Sequence, residues 1–347
     1  AADGAKTYKV YRKDTTNTKW TVLTSSAAGT SYVDKTAAAG VKYSYTVRGI
    51  ASDGKTLSLG YDETGVSAVA APANVKLVSA KAVSGGIKVT WKEAAGAAEY
   101  RVYRKGPNDK RWVDLTDVTG KNWTDTDVTN GVKYSYTVRG IAFDGKTLSP
   151  SYDKTGVSAV AAPANVELVG AAVVSGGIQV KWQAADGAVR YRVYRKDAVN
   201  TKWTTLTTSA TGTSWTDKTA KTGVTYSYTV RGIAADGKTL SPGFNKTGVS
   251  ATIPVPANVK LVGATAVSGG IQVTWQAADG AAEYRVYRKD AVNTKWKALT
   301  SSATGTSYVD DTAKAGVKYS YTVRGIAFDG KTLSPSYDKT GVSAVAK

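Results

Sequence analysis

The feature that most constrains this chain is an internal repeat with a period near 91 residues. The segment Tyr43-Ser44-Tyr45-Thr46-Val47-Arg48-Gly49-Ile50 returns from Tyr134, Tyr226 and Tyr319, at separations of 91, 92 and 93 residues. Drift by single residues belongs in loops, so each period must be one folding unit of the same design. Pro-Ala-Asn-Val begins at Pro72, Pro163 and Pro256, each a few residues after a Gly-Val-Ser-Ala segment, and marks the expected boundaries. Proline at a strand start costs no ladder bond, and connections as short as Ala70-Ala71-Pro72 leave little slack, so an elongated, semi-rigid array is expected. The expected domains are 1–71, 72–162, 163–255 and 256–347. The first is expected to be incomplete. Ala1-Ala2-Asp3-Gly4-Ala5 matches Ala184-Ala185-Asp186-Gly187-Ala188, which follows Trp182-Gln183 in mid-repeat, so the first repeat lacks the segment corresponding to two strands. Upstream truncation is the simplest reading of this, and strands supplied by another chain the alternative. Either way, part of a core and a sheet edge should lie open.

Within a repeat the periodicity is two, the signature of strands. In the third copy a first strand is expected around Val166–Val169. After a Gly-Gly turn comes Gly177-Ile178-Gln179-Val180-Lys181-Trp182, where Ile178, Val180 and Trp182 alternate with polar residues. In the next strand, from Tyr191 to Lys196, Tyr191 and Val193 share one face, and Arg192, Tyr194 and Lys196 the other. Further strands are expected at 202–206, 213–217, 225–231 and 248–251. Asp53-Gly54, Asp144-Gly145, Asp236-Gly237 and Asp329-Gly330 sit where a tight turn with positive φ is needed.

About seven short strands per repeat with turns between them meet the criteria for an immunoglobulin-like sandwich. The residues resemble the fibronectin type III family: a Trp closing the second strand (Trp91, Trp182, Trp275), a Tyr-x-Val third strand and Gly-Val-x-Tyr-x-Tyr-x-Val entering the sixth. The Thr-Ser-Tyr/Trp-x-Asp segment is similar to the bacterial branch of that family, from which the second repeat departs with Lys121-Asn122-Trp123. The resemblance implies an all-β fold of tandem fibronectin type III β-sandwiches. It also implies that Tyr43, Tyr134, Tyr226 and Tyr319 are tyrosine-corner residues whose hydroxyls bond the backbone. In animal members an Arg-Gly-Asp can occupy the loop after the sixth strand, but Arg139-Gly140-Ile141 is not that motif and lies on the strand.

The chain holds no Cys, His or Met, which removes disulfides, thiol nucleophiles, imidazole bases and the usual zinc ligands together. No cofactor and no metal site is expected. Asp310-Asp311 is a lone acidic pair, and the recurring Asp34, Asp125, Asp217 and Asp310 are explained by turn or strand-end hydrogen bonds. No apolar run is long enough to span a bilayer, and with no initiator Met the chain reads as a mature product or a fragment. Against 27 acidic residues stand 46 Lys and Arg, a formal charge of +19, so a partner met electrostatically should be acidic.

Two sets of candidate contact residues recur. The outward faces of the third and sixth strands carry Lys9, Tyr11, Lys13 and Arg48; Arg101, Tyr103, Lys105 and Arg139; Arg192, Tyr194, Lys196 and Arg231; and Arg285, Tyr287, Lys289 and Arg324. Presented in every repeat, such a face could bind a polyanion multivalently; as plain solvation, its Lys and Arg stems cover tyrosine. The fourth-strand residues Trp20, Trp112, Trp203 and Trp296 could stack on sugar rings, or cover the sandwich edge beside Leu23, Leu115, Leu206 and Leu299. The residue before each Asp-Gly varies, as Ser52, Phe143, Ala235 and Phe328, which argues against a contact required in every repeat.

These features predict a non-enzymatic, extracellular or cell-surface structural or adhesive repeat protein of a bacterial assembly. Two alternatives stand beside it: a fibre or sheath subunit that associates with itself, and a polyanion- or carbohydrate-binding accessory region of a larger secreted protein. The partners expected are other copies of the chain and acidic surface polymers or glycans, with nucleic acid not expected as the physiological partner.

Overall fold

A computed structural model describes residues 1–347 and contains strands and turns without a helix. It divides into two compact units, Ala1–Ala162 and Pro163–Lys347. Within the second unit, the third repeat shows how the sequence builds a sandwich. One antiparallel sheet has the order Leu168–Val174, Gly177–Trp182, Ser214–Asp217; the other has the order Thr204–Ala210, Arg190–Lys196, Thr225–Ile233, Val249–Thr252. The alternation read in the sequence places Ile178, Val180 and Trp182 inward, fully or almost fully buried against Tyr191, Val193, Tyr228 and Val230. Each such aliphatic side chain contributes about 1.5–3 kcal/mol of hydrophobic stabilisation.

The hairpin joining the first two strands depends on glycine. Gly176 has φ +82° and Gly177 φ +155°, and a β-carbon at Gly177 would lie 2.1 Å from the carbonyl oxygen of Asp217. The first strand begins later than its apolar start suggested: Val166 is buried ahead of it, and pairing runs from Leu168 opposite Trp182, past a bulge, to Val174 opposite Gly177. The alanines of Ala171-Ala172 have weak strand propensity, and it is pairing with the strong partner strand that extends them. The fourth strand likewise starts at Thr204, after an Asp197 turn whose carboxylate accepts the N–H groups of Val199 and Asn200.

The fourth repeat, in the same unit, and the second, in the first unit, have the same pair of sheets, three strands facing four. The chain is thus a tandem β-sandwich array, an architecture that fits fibronectin type III and immunoglobulin-like repeats. The first repeat differs. It forms only the four-stranded sheet, in the order Thr21–Ala27, Thr7–Asp14, Lys42–Ile50, Val66–Val69, with no sheet of its own facing it. Ser31-Tyr32-Val33-Asp34, which corresponds to the strand Ser214–Asp217, is not a strand here. Val47 is accordingly 50% exposed, whereas its counterparts Val138, Val230 and Val323 are at 0%. No helix of the chain is long and apolar enough to cross a membrane.

Candidate functional site: a basic and aromatic groove

In the second repeat the strands Glu99–Lys105 and Lys133–Ile141 pair so that Arg139 lies opposite Arg101, and Thr137 opposite Tyr103. The outward side chains of Tyr103, Thr137 and Arg139 meet Trp112 and, from the loop after the sixth strand, Tyr152. Together with Lys105, Lys110 and Arg111 they line a groove of about 430 Å³. In the fourth repeat Tyr287, Trp296, Thr322, Arg324 and Tyr337 line a smaller one, of about 230 Å³. The structure therefore joins in one place the cationic face and the tryptophans that the sequence presented as two sets.

The tryptophans do not lie on the fourth strand as expected; Trp20, Trp112, Trp203 and Trp296 each stand one residue before it. All four are half-buried and packed in the same way, with the indole against a backbone glycine. A β-carbon at Gly65, Gly156, Gly248 or Gly341 would come within 2.8 Å of the ring. Over the other side lies the lysine of the third strand. Lys13, Lys196 and Lys289 sit 4.2, 4.4 and 4.3 Å from the ring centroids of Trp20, Trp203 and Trp296. Edge packing and a cation–π contact thus both act on the same indole.

All sixteen residues of the outward face are half-buried, but their charges are not equally free. Arg139 donates from Nε to the carbonyl of Ser149 at 3.0 Å, and Arg48, Arg231 and Arg324 do the same to Ser58, Ser241 and Ser334. These guanidiniums are fixed against the loop after the sixth strand. In the complete repeats the loop is itself anchored by the Asn of Pro-Ala-Asn-Val: Asn74, Asn165 and Asn258 accept the N–H groups of Ser151, Gly243 and Ser336 at 2.7–2.8 Å. Arg101 is engaged by Asp117 through two 2.8 Å contacts, which raise its pKa and lower that of Asp117. Its counterparts Arg192 and Arg285 have no carboxylate partner, and each keeps a buried Nε without a hydrogen bond.

A second cluster, inside each sandwich, was missed. Asp125, Asp217 and Asp310 are buried. Their Oδ2 atoms accept from Arg104, Arg195 and Arg288 at 2.7–2.9 Å and from the hydroxyls of Tyr136, Tyr228 and Tyr321 at 2.7–3.0 Å. The turn bond expected of these aspartates exists as well, through Oδ1 to the backbone two residues on. Asp310 is therefore committed inward and makes no acidic pair with exposed Asp311. Burial alone would raise the carboxyl pKa, but for Asp217 and Asp310 the hydrogen bonds outweigh it and the net shift is downward. Burial and then the carboxylate bond push the three tyrosine hydroxyls up. The sequence did carry the signal: by the period of two, Arg12, Arg104, Arg195 and Arg288 fall on the apolar face, where a cation requires a partner. Beside this cluster, the corner tyrosines Tyr43, Tyr134 and Tyr319 accept the backbone N–H groups of Ala38, Thr129 and Lys314 at 3.1, 3.2 and 3.3 Å.

No protein-family model matches the chain. Among curated proteins it is 28% identical over 228 residues to exoglucanase B of Cellulomonas fimi, covering 59% of this chain and 20% of that protein. It is 30% identical over 90 residues to the amylopullulanase of Thermoanaerobacterium saccharolyticum, covering 26% of this chain and 7% of that enzyme. The chain thus spans a fifth or less of the relatives it matches. Among solved structures, the FN1–FN3 domains of chicken CNTN1 align with 79% of the chain at 14% identity and a TM-score of 0.30.

Proposed function

We propose that this chain is a non-catalytic, extracellular repeat array that acts as spacer and contact surface, as an accessory region beside polysaccharide-processing enzymes. The observation that carries the reading is the recurrence of one cation-lined aromatic groove. In the second and fourth repeats cations adjoin an indole fixed on glycine and a tyrosine of the loop after the sixth strand, and in the third and fourth repeats Arg192 and Arg285 lack an acidic partner. Such a surface favours acidic polymers and glycans: the cations attract, the rings stack, and repetition compounds weak single contacts. The partial matches to two enzymes named for acting on glycans agree with an accessory role, since they cover a minor share of each enzyme.

The test is calorimetric titration of the intact chain with heparin and with a soluble glucan at rising salt. The reading expects binding that weakens as salt screens the surface cations, and that falls further when Lys196 and Lys289 are replaced by Glu. Absent binding, or binding indifferent to both salt and these substitutions, would overturn it.

A further inference from the structure

We infer that the groove of the second repeat is a site for one acidic sugar unit of a glycan, its ring laid on Trp112 and its carboxylate or sulfate held by the surrounding lysines and arginines. This assignment rests on the reading of the array as a contact surface for acidic glycans, and confines ring stacking to a single repeat. The four indoles are not alike. In the first, third and fourth repeats the lysine near the end of the third strand covers the ring, with Lys13, Lys196 and Lys289 at 4.2, 4.4 and 4.3 Å from the centroids of Trp20, Trp203 and Trp296. Trp112 has no such cover, and Lys105, the matching residue, lines the groove instead. The groove there is about 430 Å³ against about 230 Å³ in the fourth repeat, and only the larger falls in the range of roughly 300–1,000 Å³ usual for small-molecule sites.

The difference begins in the turn between the third and fourth strands. Where the indole is covered, the lysine is followed by Asp14, Asp197 or Asp290, whose Oδ1 accepts two backbone N–H groups of its own turn. In the second repeat the turn reads Gly106-Pro107-Asn108-Asp109-Lys110-Arg111. Gly106 stands in place of the aspartate, and the closing carboxylate is that of Asp109, which accepts the N–H of Gly106 at 2.7 Å. Lys110 and Arg111 stand where the third repeat has Thr201 and Lys202, so this groove gains a cation beside its uncovered indole.

Lys105, Lys110, Arg111 and Arg139 line the groove and no carboxylate does; Asp114 and Asp117 lie on the fourth strand, where they hold Arg101, and line no part of it. An anionic group entering is therefore attracted without a competing acid in the groove. Arg139 is already fixed by the carbonyl of Ser149, which keeps its charge in place and limits the freedom lost on binding. Tyr103 and Tyr152 add phenolic hydroxyls, which donate to and accept from the hydroxyls of a sugar ring. A single-stranded nucleic acid fits less well, because it uses successive stacking platforms and the indoles of the other repeats carry their own lysines.

The test is calorimetric titration of the intact chain with a heparin hexasaccharide, with an inorganic polyphosphate, which has charge and no ring, and with an oligothymidylate. Trp112→Ala should weaken hexasaccharide binding by about tenfold or more, the scale of one lost stacking contact, while Trp296→Ala should change it by less than about twofold. Both indoles pack on a glycine, Gly156 and Gly341, so a loss that came only from loosened packing would be alike in the two variants. Lys110→Thr together with Arg111→Lys copies the third repeat and leaves Trp112 in place. This pair should weaken hexasaccharide binding several-fold and lessen its salt dependence. Polyphosphate should respond to the pair and not to Trp112→Ala. Equal losses in the two tryptophan variants, or indifference to the turn pair, would overturn the inference and leave the broader reading intact; absence of hexasaccharide binding to the intact chain would overturn both. Oligothymidylate binding that is tighter than hexasaccharide binding and depends on Trp112 would make a nucleic acid the occupant and overturn the inference as well.

Discussion

The first and third repeats share the strand sequence Tyr-Ser-Tyr-Thr-Val-Arg-Gly-Ile, and differ in what lies beneath it. In the third, Val230 closes a sealed core; in the first, Val47 faces open space. One local sequence forms the same strand in both repeats, and in the third a facing sheet seals it. Substituting the same valine in both places measures the difference. Val230→Asp buries a carboxylate with no partner and should destabilise the third repeat by about 4 kcal/mol or more, whereas Val47→Asp should stay within about 0.5 kcal/mol. Hydrogen exchange read separately over Tyr226–Ile233 and Tyr43–Ile50 checks this, and equal effects would break the comparison.

The ion pair is next in size. Removing Asp217 strands Arg195 inside the sandwich, and Asp217→Ala should cost about 3–5 kcal/mol. Asp34→Ala should cost less: Asp34 has the same partners, Arg12 at 2.8 Å and Tyr45 at 3.0 Å, but Tyr45 is only half-buried. The pH dependence follows the same logic. Burial works to raise the Asp34 pKa, yet the bonds from Arg12, Thr36 and Tyr45 prevail and hold it at about 2. With an ordinary aspartate pKa of about 3.9 in the unfolded chain, its contribution is fully present above that value and declines as pH falls toward 2. Asp217 shifts in the same direction, so both repeats should lose stability on acidification. In an acid titration followed by exchange, Asp34→Asn should flatten the decline in the first repeat alone.

Much of this was legible in the sequence. The strands Gly177–Trp182 and Arg190–Lys196 were read almost to the residue, because alternation of Ile178, Val180 and Trp182 with polar neighbours admits one pairing face. Less legible was anything set by contacts distant in sequence. That Trp112 and Arg139 share a groove requires knowing that a turn delivers the indole onto Gly156, 44 positions further along the chain. The inward arginines are masked in the sequence by the outward charges around them, although the period of two assigns Arg195 to the core. Phe143 is 59% exposed whereas Phe328 packs on the preceding repeat's core, a contrast invisible because their local sequences are alike.

The smallest expected effect sharpens the comparison from the opposite side. Lys13 lies 4.2 Å from the Trp20 centroid and Lys196 lies 4.4 Å from that of Trp203, so the outer faces of the first and third repeats match where their inner faces do not. A half-exposed contact of this kind contributes about 0.5–1 kcal/mol. Replacing lysine by methionine keeps the stem that covers the ring and removes only the charge, so Lys13→Met and Lys196→Met should each lose that amount and no more. If the two losses agree, the outer face is energetically independent of whether the interior is sealed. If Lys13→Met costs clearly more, the indole on Gly65 is helping to hold together a sheet that lacks its partner, and the two faces of the first repeat are coupled. Exchange rates across Thr21–Ala27 and Thr204–Ala210, the strands that follow the two tryptophans, distinguish these outcomes directly.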